Sequence, residues 1–358
     1  MNEREANLQN MTDLSLFQNL EIVPYDSSTR LNERSDLMKL ELTPMQKSKI
    51  GSLVQYIPSV ISAGTLSHAY IVKFPKGMPH TLMQYKTDGF GSSVMGENGI
   101  IDHASFHPIR TQAMMLGAFT AMSVATGQYF LTQIHNELNM MKQNLDKILE
   151  FLYGDKKAEL LSEISFIKYA YQNYNSIMEY EQQRIATIIS LQEAKKIAMK
   201  DIEFYMNDLC STVTSDSRSD IIVIVDKAFQ IKESLDLSIQ LYGMANLLEV
   251  YYSQNYDIDY VKNIEKDIST YIAKCEKRML STFSALNALV VTFKEKPWEK
   301  IDRETIEKRV DEVIESLNDG EDSELCKSFC SALKSCTKDE EYYIDRKGDV
   351  YIKQFKNS

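Results

Sequence analysis

Proline and glycine are scarce here, and unevenly so. The 358 residues include only 7 Pro and 13 Gly. After Pro108 no proline occurs until Pro297, and the interval holds only Gly117, Gly127, Gly154 and Gly243. So few breakers argue against many short strands and predict long helices. The first residues, MNEREANLQNMTDLS, lack a basic stretch followed by an apolar one, so no secretory leader is expected. A surplus of positive charge is missing too. The net charge of −11 and pI near 5.1 exclude a general nucleic-acid surface. Cysteine is limited to Cys210, Cys275, Cys326, Cys330 and Cys336. That odd, scattered set contains no CxxC pair and reads as free thiols of a reducing cytoplasm.

Motifs of catalysis are also wanting. GFGSSVMGENG lacks the Gly-Lys-Ser/Thr ending of a phosphate-cradling loop and opens no helix, so it reads as turns. No GxSxG occurs, and nothing pairs a nucleophile with a base. His103 and His107 stand four apart, the spacing of two ligands on one helix face, but Pro108 directly after disfavours a helix through His107. Cys326, Cys330 and Cys336 fall on an expected helix with no histidine nearby and read as half-buried thiols. No catalytic residue, no metal and no cofactor is expected, and the chain is not expected to be an enzyme.

What the chain does have is an uncharged segment of membrane length, Thr111 to Asn136 (TQAMMLGAFTAMSVATGQYFLTQIHN). It carries Met114, Met115, Leu116, Gly117, Phe119, Ala121, Met122, Val124 and Gly127, residues that suit either close helix packing or lipid. Gln112, Thr120, Ser123, Thr126 and Gln128 dilute its apolarity. It runs into a heptad of Leu131, Ile134, Leu138, Met141, Leu145, Ile148 and Leu152.

Before that segment the chain reads as α+β. A short strand is expected near Leu16 to Val23, a helix from Pro44 capped by Thr43, and strands at Tyr70–Phe74, Thr81–Tyr85 and Ser92–Met95. After it come three more long helices. The second, about 156 to 211, has a seam of Leu160, Ile164, Ile167, Tyr171, Tyr174, Met178, Ile185 and Ile188, and would be roughly 80 Å long if unbroken. The third opens at IIVIV (221–225) and the fourth follows Asn255 to Asp259. Two short helices at about 303–317 and 322–336 precede a C-terminal β-hairpin, EYYIDRKGDVYIKQF.

The expected fold is therefore mainly α: an elongated antiparallel bundle of about four long helices with a small N-terminal α+β region and a C-terminal β-hairpin. The corresponding domains are 1–108, 109–293 and 294–358. Antiparallel order brings AMMLGAFTAMSVA, IIVIV and FSALNALVVTF to one pole, capped by both termini. The other pole, holding Tyr153 to Lys157 and the tyrosine-rich Glu249 to Tyr260, reads as a solvated tip. Lys73, Lys76, Lys86 and Arg110, with His80, His103 and His107, make one stretch less acidic than the rest. They read either as a site for a phosphate-bearing regulatory ligand or as solvated surface.

In architecture, residues 109 to 293 resemble bacterial helical pore-forming or channel-forming effectors, including those of antiphage defence. TQAMMLGAFTAMSVATGQYFL followed by the heptad carries the resemblance. It implies a homo-oligomer that stays soluble in the cytoplasm until triggered, then associates with the inner membrane and permeabilises it. The alternative is a cytosolic coiled-coil scaffold or sensor that acts by contact with a partner protein. The apolar pole is then a buried core.

Overall fold

The computed structural model describes residues 21–24, 30–56, 69–74, 92–96, 99–104, 108–132, 134, 135, 139, 155–214, 221–293, 302–318, 324–337, 340–345 and 347–353. The protein is mainly helical with a small antiparallel sheet. It divides into two compact units, residues 1–129, 255–257 and 337–358 in the first, and 130–254 and 258–336 in the second.

In the first unit, five antiparallel strands run in the order β1-β3-β6-β7-β2. They are β1 (Glu21–Pro24), β2 (Leu37–Lys39), β3 (Ala69–Phe74), β6 (Glu340–Asp345) and β7 (Val350–Lys353). The two ends of the sequence thus share one sheet, because β3 pairs with β6 from Ala69↔Asp345 to Phe74↔Glu340. The C-terminal hairpin forms as its alternation predicts. Its turn closes through the Asp345 carboxylate, which accepts the amides of Lys347 (2.8 Å) and Asp349 (2.9 Å). Gly348 supplies the left-handed residue at φ 80°.

Both faces of that hairpin are covered. Tyr342, Ile344, Val350 and Ile352 join Leu40, Ile50, Ala118, Ala121, Met122 and Ala125 in one core, while Tyr343 and Tyr351 meet Leu31 and Leu37 on the other side. A strand pair covered on both faces buries consecutive positions, here Tyr342 to Ile344 and Val350 to Ile352. Helix α1 (Pro44–Tyr56) starts at the expected proline. Thr43 Oγ1 accepts the Gln46 amide at 3.2 Å and Gln46 Oε1 accepts the Thr43 amide at 2.8 Å, a reciprocal capping box. β4 (Ser92–Gly96) pairs with β5 (Gly99–Ala104), a strand that the composition of GIIDHA did not announce. The expected strand at Thr81–Tyr85 lies outside the described residues.

Helix α2 (Pro108–Thr132) carries the uncharged segment; the heptad from Leu138 onward lies outside the described residues. In the second unit, the single helix expected over 156–211 is instead three: α3 (Asp155–Gln172), α4 (Tyr174–Met178) and α5 (Glu181–Thr214). Asn173 leaves helical geometry at φ −103° and ψ 14°, and its side-chain amide donates to the Tyr169 carbonyl at 2.9 Å. Asparagine offers the backbone this alternative to the helical ladder without any Gly or Pro as a signal. Helices α6 (Ile221–Ser253) and α7 (Ile258–Thr292) begin close to where the sequence places them, as do α8 (Arg303–Asn318) and α9 (Glu324–Ser335).

α6 lies at the centre of this unit. Every residue from Leu237 to Tyr252 is buried, and a helix apolar all round belongs inside other helices. The pairs Lys195–Glu249 and Lys227–Asp208 set α5 antiparallel to it. The aromatic pairs Tyr242–Tyr271 and Phe229–Phe283 set α7 antiparallel to it as well. The tyrosine-rich stretch read as a solvated tip is core instead. Tyr251 donates its hydroxyl to the Ala332 carbonyl at 3.0 Å, Tyr252 to Ala170 at 2.8 Å, and Tyr174 to Tyr251 at 3.2 Å. Tyrosine is large enough to be a core residue whenever its hydroxyl finds an acceptor, and helix-end carbonyls supplied them here.

Candidate functional site

Three candidate regions need placing, beginning with the segment on α2. Ala121, Met122, Val124 and Gly127 are buried. Ala118, Ala121 and Ala125 recur at helical spacing and form the small-residue stripe of the sheet-facing core. Thr126, polar and nearly fully buried, donates its hydroxyl to the Met122 carbonyl at 2.8 Å and shares a 3.1 Å bond with the Tyr342 hydroxyl. Two of the polar residues that dilute the segment, Ser123 and Thr126, therefore sit inside protein. Met114, Met115, Leu116, Gly117 and Phe119 lie on α2, and their side chains fall outside the described residues. Among the described residues no helix is long and apolar enough to cross a membrane.

Of the basic residues, Lys73, His103 and Arg110 stand on described elements. Lys73 stands on β3, in register with Glu21 on one side and Glu341 on the other, so opposite charge surrounds its position in the ladder. His103 stands on β5, in register with Ser93. His103 thus belongs to a strand and not to a helix, in keeping with the doubt that Pro108 cast on a helix there. Arg110 belongs to the first turn of α2. Lys76, His80, Lys86 and His107 lie outside the described residues.

The third region was hidden in the sequence by a seam that mixed two faces. α5 buries Thr187, Leu191, Ala194, Ala198, Ile202, Tyr205 and Leu209. These recur every three or four residues and meet the central helix. Ile185, assigned above to the buried seam, points away and is 48% exposed, with Ile189 at 62%, Met199 at 39% and Phe204 at 49%. From Ile185 to Phe204 this row runs roughly 28 Å along the helix. At its middle Glu193 and Lys196 form an exposed pair at 3.4 Å. Ile188 and Ile189 are adjacent, which no single helical stripe accommodates, and this is the sign of a second apolar face.

The electrostatics of the unit are uneven. Glu249 is a buried carboxylate on α6 that accepts from Gln192 (2.8 Å) and Lys195 (2.6 Å). Glu163 on α3 is half-buried without such support. Burial and the charges of Glu159, Glu193 and Asp201 hold its pKa above the usual carboxylate value. A group whose proton is held more tightly in the folded state stabilises at low pH, and that contribution is lost as pH rises through its folded pKa. Glu163→Gln is therefore expected to melt higher than the parent at pH 7, by less than about 1 kcal/mol because solvent screens the site. The advantage should vanish below about pH 4. Circular-dichroism melts across that range test it.

Burial, with the charge of Glu203 adding to it, pushes the Cys275 thiol up to about 11. No three His, Cys, Asp or Glu side chains among the described residues are placed to hold a metal ion. Comparison of the chain with protein-family models, with curated proteins and with solved structures gives no match.

Proposed function

We propose that the helices of the second unit form one antiparallel bundle that serves as a scaffold, associating with a second copy of itself through the exposed face of α5. One observation carries this reading: the row on α5 is self-complementary. In an antiparallel, two-fold pairing, Ile185 of one copy meets Phe204 of the other, Ile189 meets Lys200 with Met199 beside it, and Glu193 meets Lys196. All three pairings hold in one register, as an isologous interface requires. Apolar residues then cover each other at both ends while opposite charges meet at the centre. One helix pair of this length buries at the low end of specific interfaces, so the association is a concentration-dependent equilibrium.

Sedimentation velocity over a concentration series tests the pairing. Ile189→Ser and Phe204→Ser are expected to shift the equilibrium to monomer with melting within about 0.5 kcal/mol of the parent, as exposed positions allow. Glu193→Lys and Lys196→Glu should each weaken the association, and the double variant should restore it. A parent that is monomeric at every concentration, or a dimer indifferent to these variants, would overturn the reading.

A second reading has its own support. Residues 111–132 of α2 carry no charge over 22 positions, and the core that covers Ala118 to Ala125 draws on the C-terminal hairpin. A trigger that released the hairpin would expose this helix, and a triggered membrane effector would use it so. Dye release from anionic liposomes, with the added protein at increasing concentration, separates the two. Leakage supports the membrane effector, and intact liposomes at concentrations where the dimer forms support the scaffold.

A further inference from the structure

Helix α9 brings two thiols together. Cys326 and Cys330, one helical turn apart, have their sulfurs 3.9 Å from each other. They open onto a groove of about 440 Å³ between α9 and α7, lined also by Lys327, Lys334, Glu265 and Ser269. Cys326 is buried and Cys330 half-buried. Lys334 is held beside them by an ion pair with Glu265 at 3.0 Å.

Two chemistries bring a pair of thiols into use, and geometry separates them. A disulfide needs β-carbons about 3.5–4.5 Å apart. Residues i and i+4 of a helix hold theirs at roughly 5–6 Å, so oxidation would have to distort the turn. Coordination by one cation places no such demand on the β-carbons. At a metal–sulfur distance of about 2.3 Å, tetrahedral geometry sets the sulfurs about 3.8 Å apart. The pair already stands at that separation, at the helical spacing that puts two ligands on one face.

We propose that Cys326 and Cys330 form a two-thiolate site for a thiophilic divalent cation of the zinc and cadmium class, with water from the open groove completing its coordination. Binding is an exchange without oxidation: each S–H bond breaks, a sulfur–metal bond forms, and the proton passes to solvent. Because each thiol gives up its proton on binding, affinity is coupled to pH.

The site is independent of the scaffold reading, since none of its residues lies on α5. Titrating the reduced full-length protein with cadmium chloride, while following the thiolate-to-cadmium charge-transfer band in the ultraviolet, tests it. One equivalent is expected to saturate the band, protons should be released, and binding should tighten about tenfold or more per pH unit from pH 6 to 8. Cys330→Ala and Cys326→Ser should each lose the band, with circular dichroism verifying that they fold. Cys210→Ser, Cys275→Ser and Cys336→Ser should keep it. Because Cys326 is buried, the half-buried Cys330 decides the outcome if the Cys326 variant unfolds. A parent without the band, or a band that survives Cys330→Ala, overturns the proposal.

Discussion

Ala121→Asp is expected to unfold the first unit, at a cost of about 3–5 kcal/mol. Ala121 is 2% exposed and belongs to the core that joins α2 to Tyr342, Ile344, Val350 and Ile352. A carboxylate placed there would be surrounded by apolar side chains of the sheet and of α1. Burying an unpaired charge consumes a large share of the 5–15 kcal/mol that a domain has in all. Ala121→Ser, of nearly the same size, should cost about 1–3 kcal/mol, the penalty of a neutral polar group lacking a partner. Denaturant unfolding followed by circular dichroism measures both. A folded, native-like Ala121→Asp protein that had lost only a membrane activity would contradict the packing of α2 and favour the triggered effector.

The second large effect is expected at Gly243→Ala, where the usual rule for helices should reverse. In mid-helix, alanine ordinarily stabilises over glycine by about 0.5–1 kcal/mol. Here a Cβ would stand 2.6 Å from Cζ and 2.7 Å from Cδ2 of Phe329, with Cε2 nearer still. Phe329 is fully buried, so its ring has no free space into which to turn. Either α9 must back away from α6 or the ring must leave its rotamer, and overpacking of this kind costs about 1–3 kcal/mol. The net change should be destabilising. Phe329→Leu shortens the ring to a branched chain and should relieve the clash, so the double variant should be more stable than the two single losses predict. Additive losses would mean that Gly243 does not set the approach of α9.

Punctuation and periodicity were legible where one face of an element decides its place. The starts of α1 at Pro44 and of α6 at Ile221 follow from a capping residue and an apolar onset. So do the ends of the terminal hairpin, whose Asp345 and Gly348 are turn residues by chemistry. The break at Asn173 was not legible, because it depends on a side chain choosing the Tyr169 carbonyl over solvent. The face of Ile185 was not legible either. Apolar residues at 185, 188, 189 and 191 fit two helical stripes, and only the position of α6 selects the one that is buried.

The candidate sites divide in the same way. The uncharged run of α2 is a property of composition and can be read directly; what covers Ala118, Ala121 and Ala125 requires strands more than 200 residues away in sequence. The paired thiols follow from helical spacing, since Cys326 and Cys330 are four apart, but the groove that admits a cation exists only because α7 and α9 leave it between them.

By itself, then, the sequence determined the local facts of this protein: mainly helical structure, an acidic charge, a hairpin at its end and an uncharged helix in its first half. Each depends on neighbours within a few positions. Tertiary structure alone decided which apolar residues are core. α6 became central, the tyrosines at its end found carbonyl acceptors on other helices, and Ile189 and Phe204 were left in solvent. Burial is a relation between distant segments, and residue type sets only what a side chain gains once a partner has been brought to it.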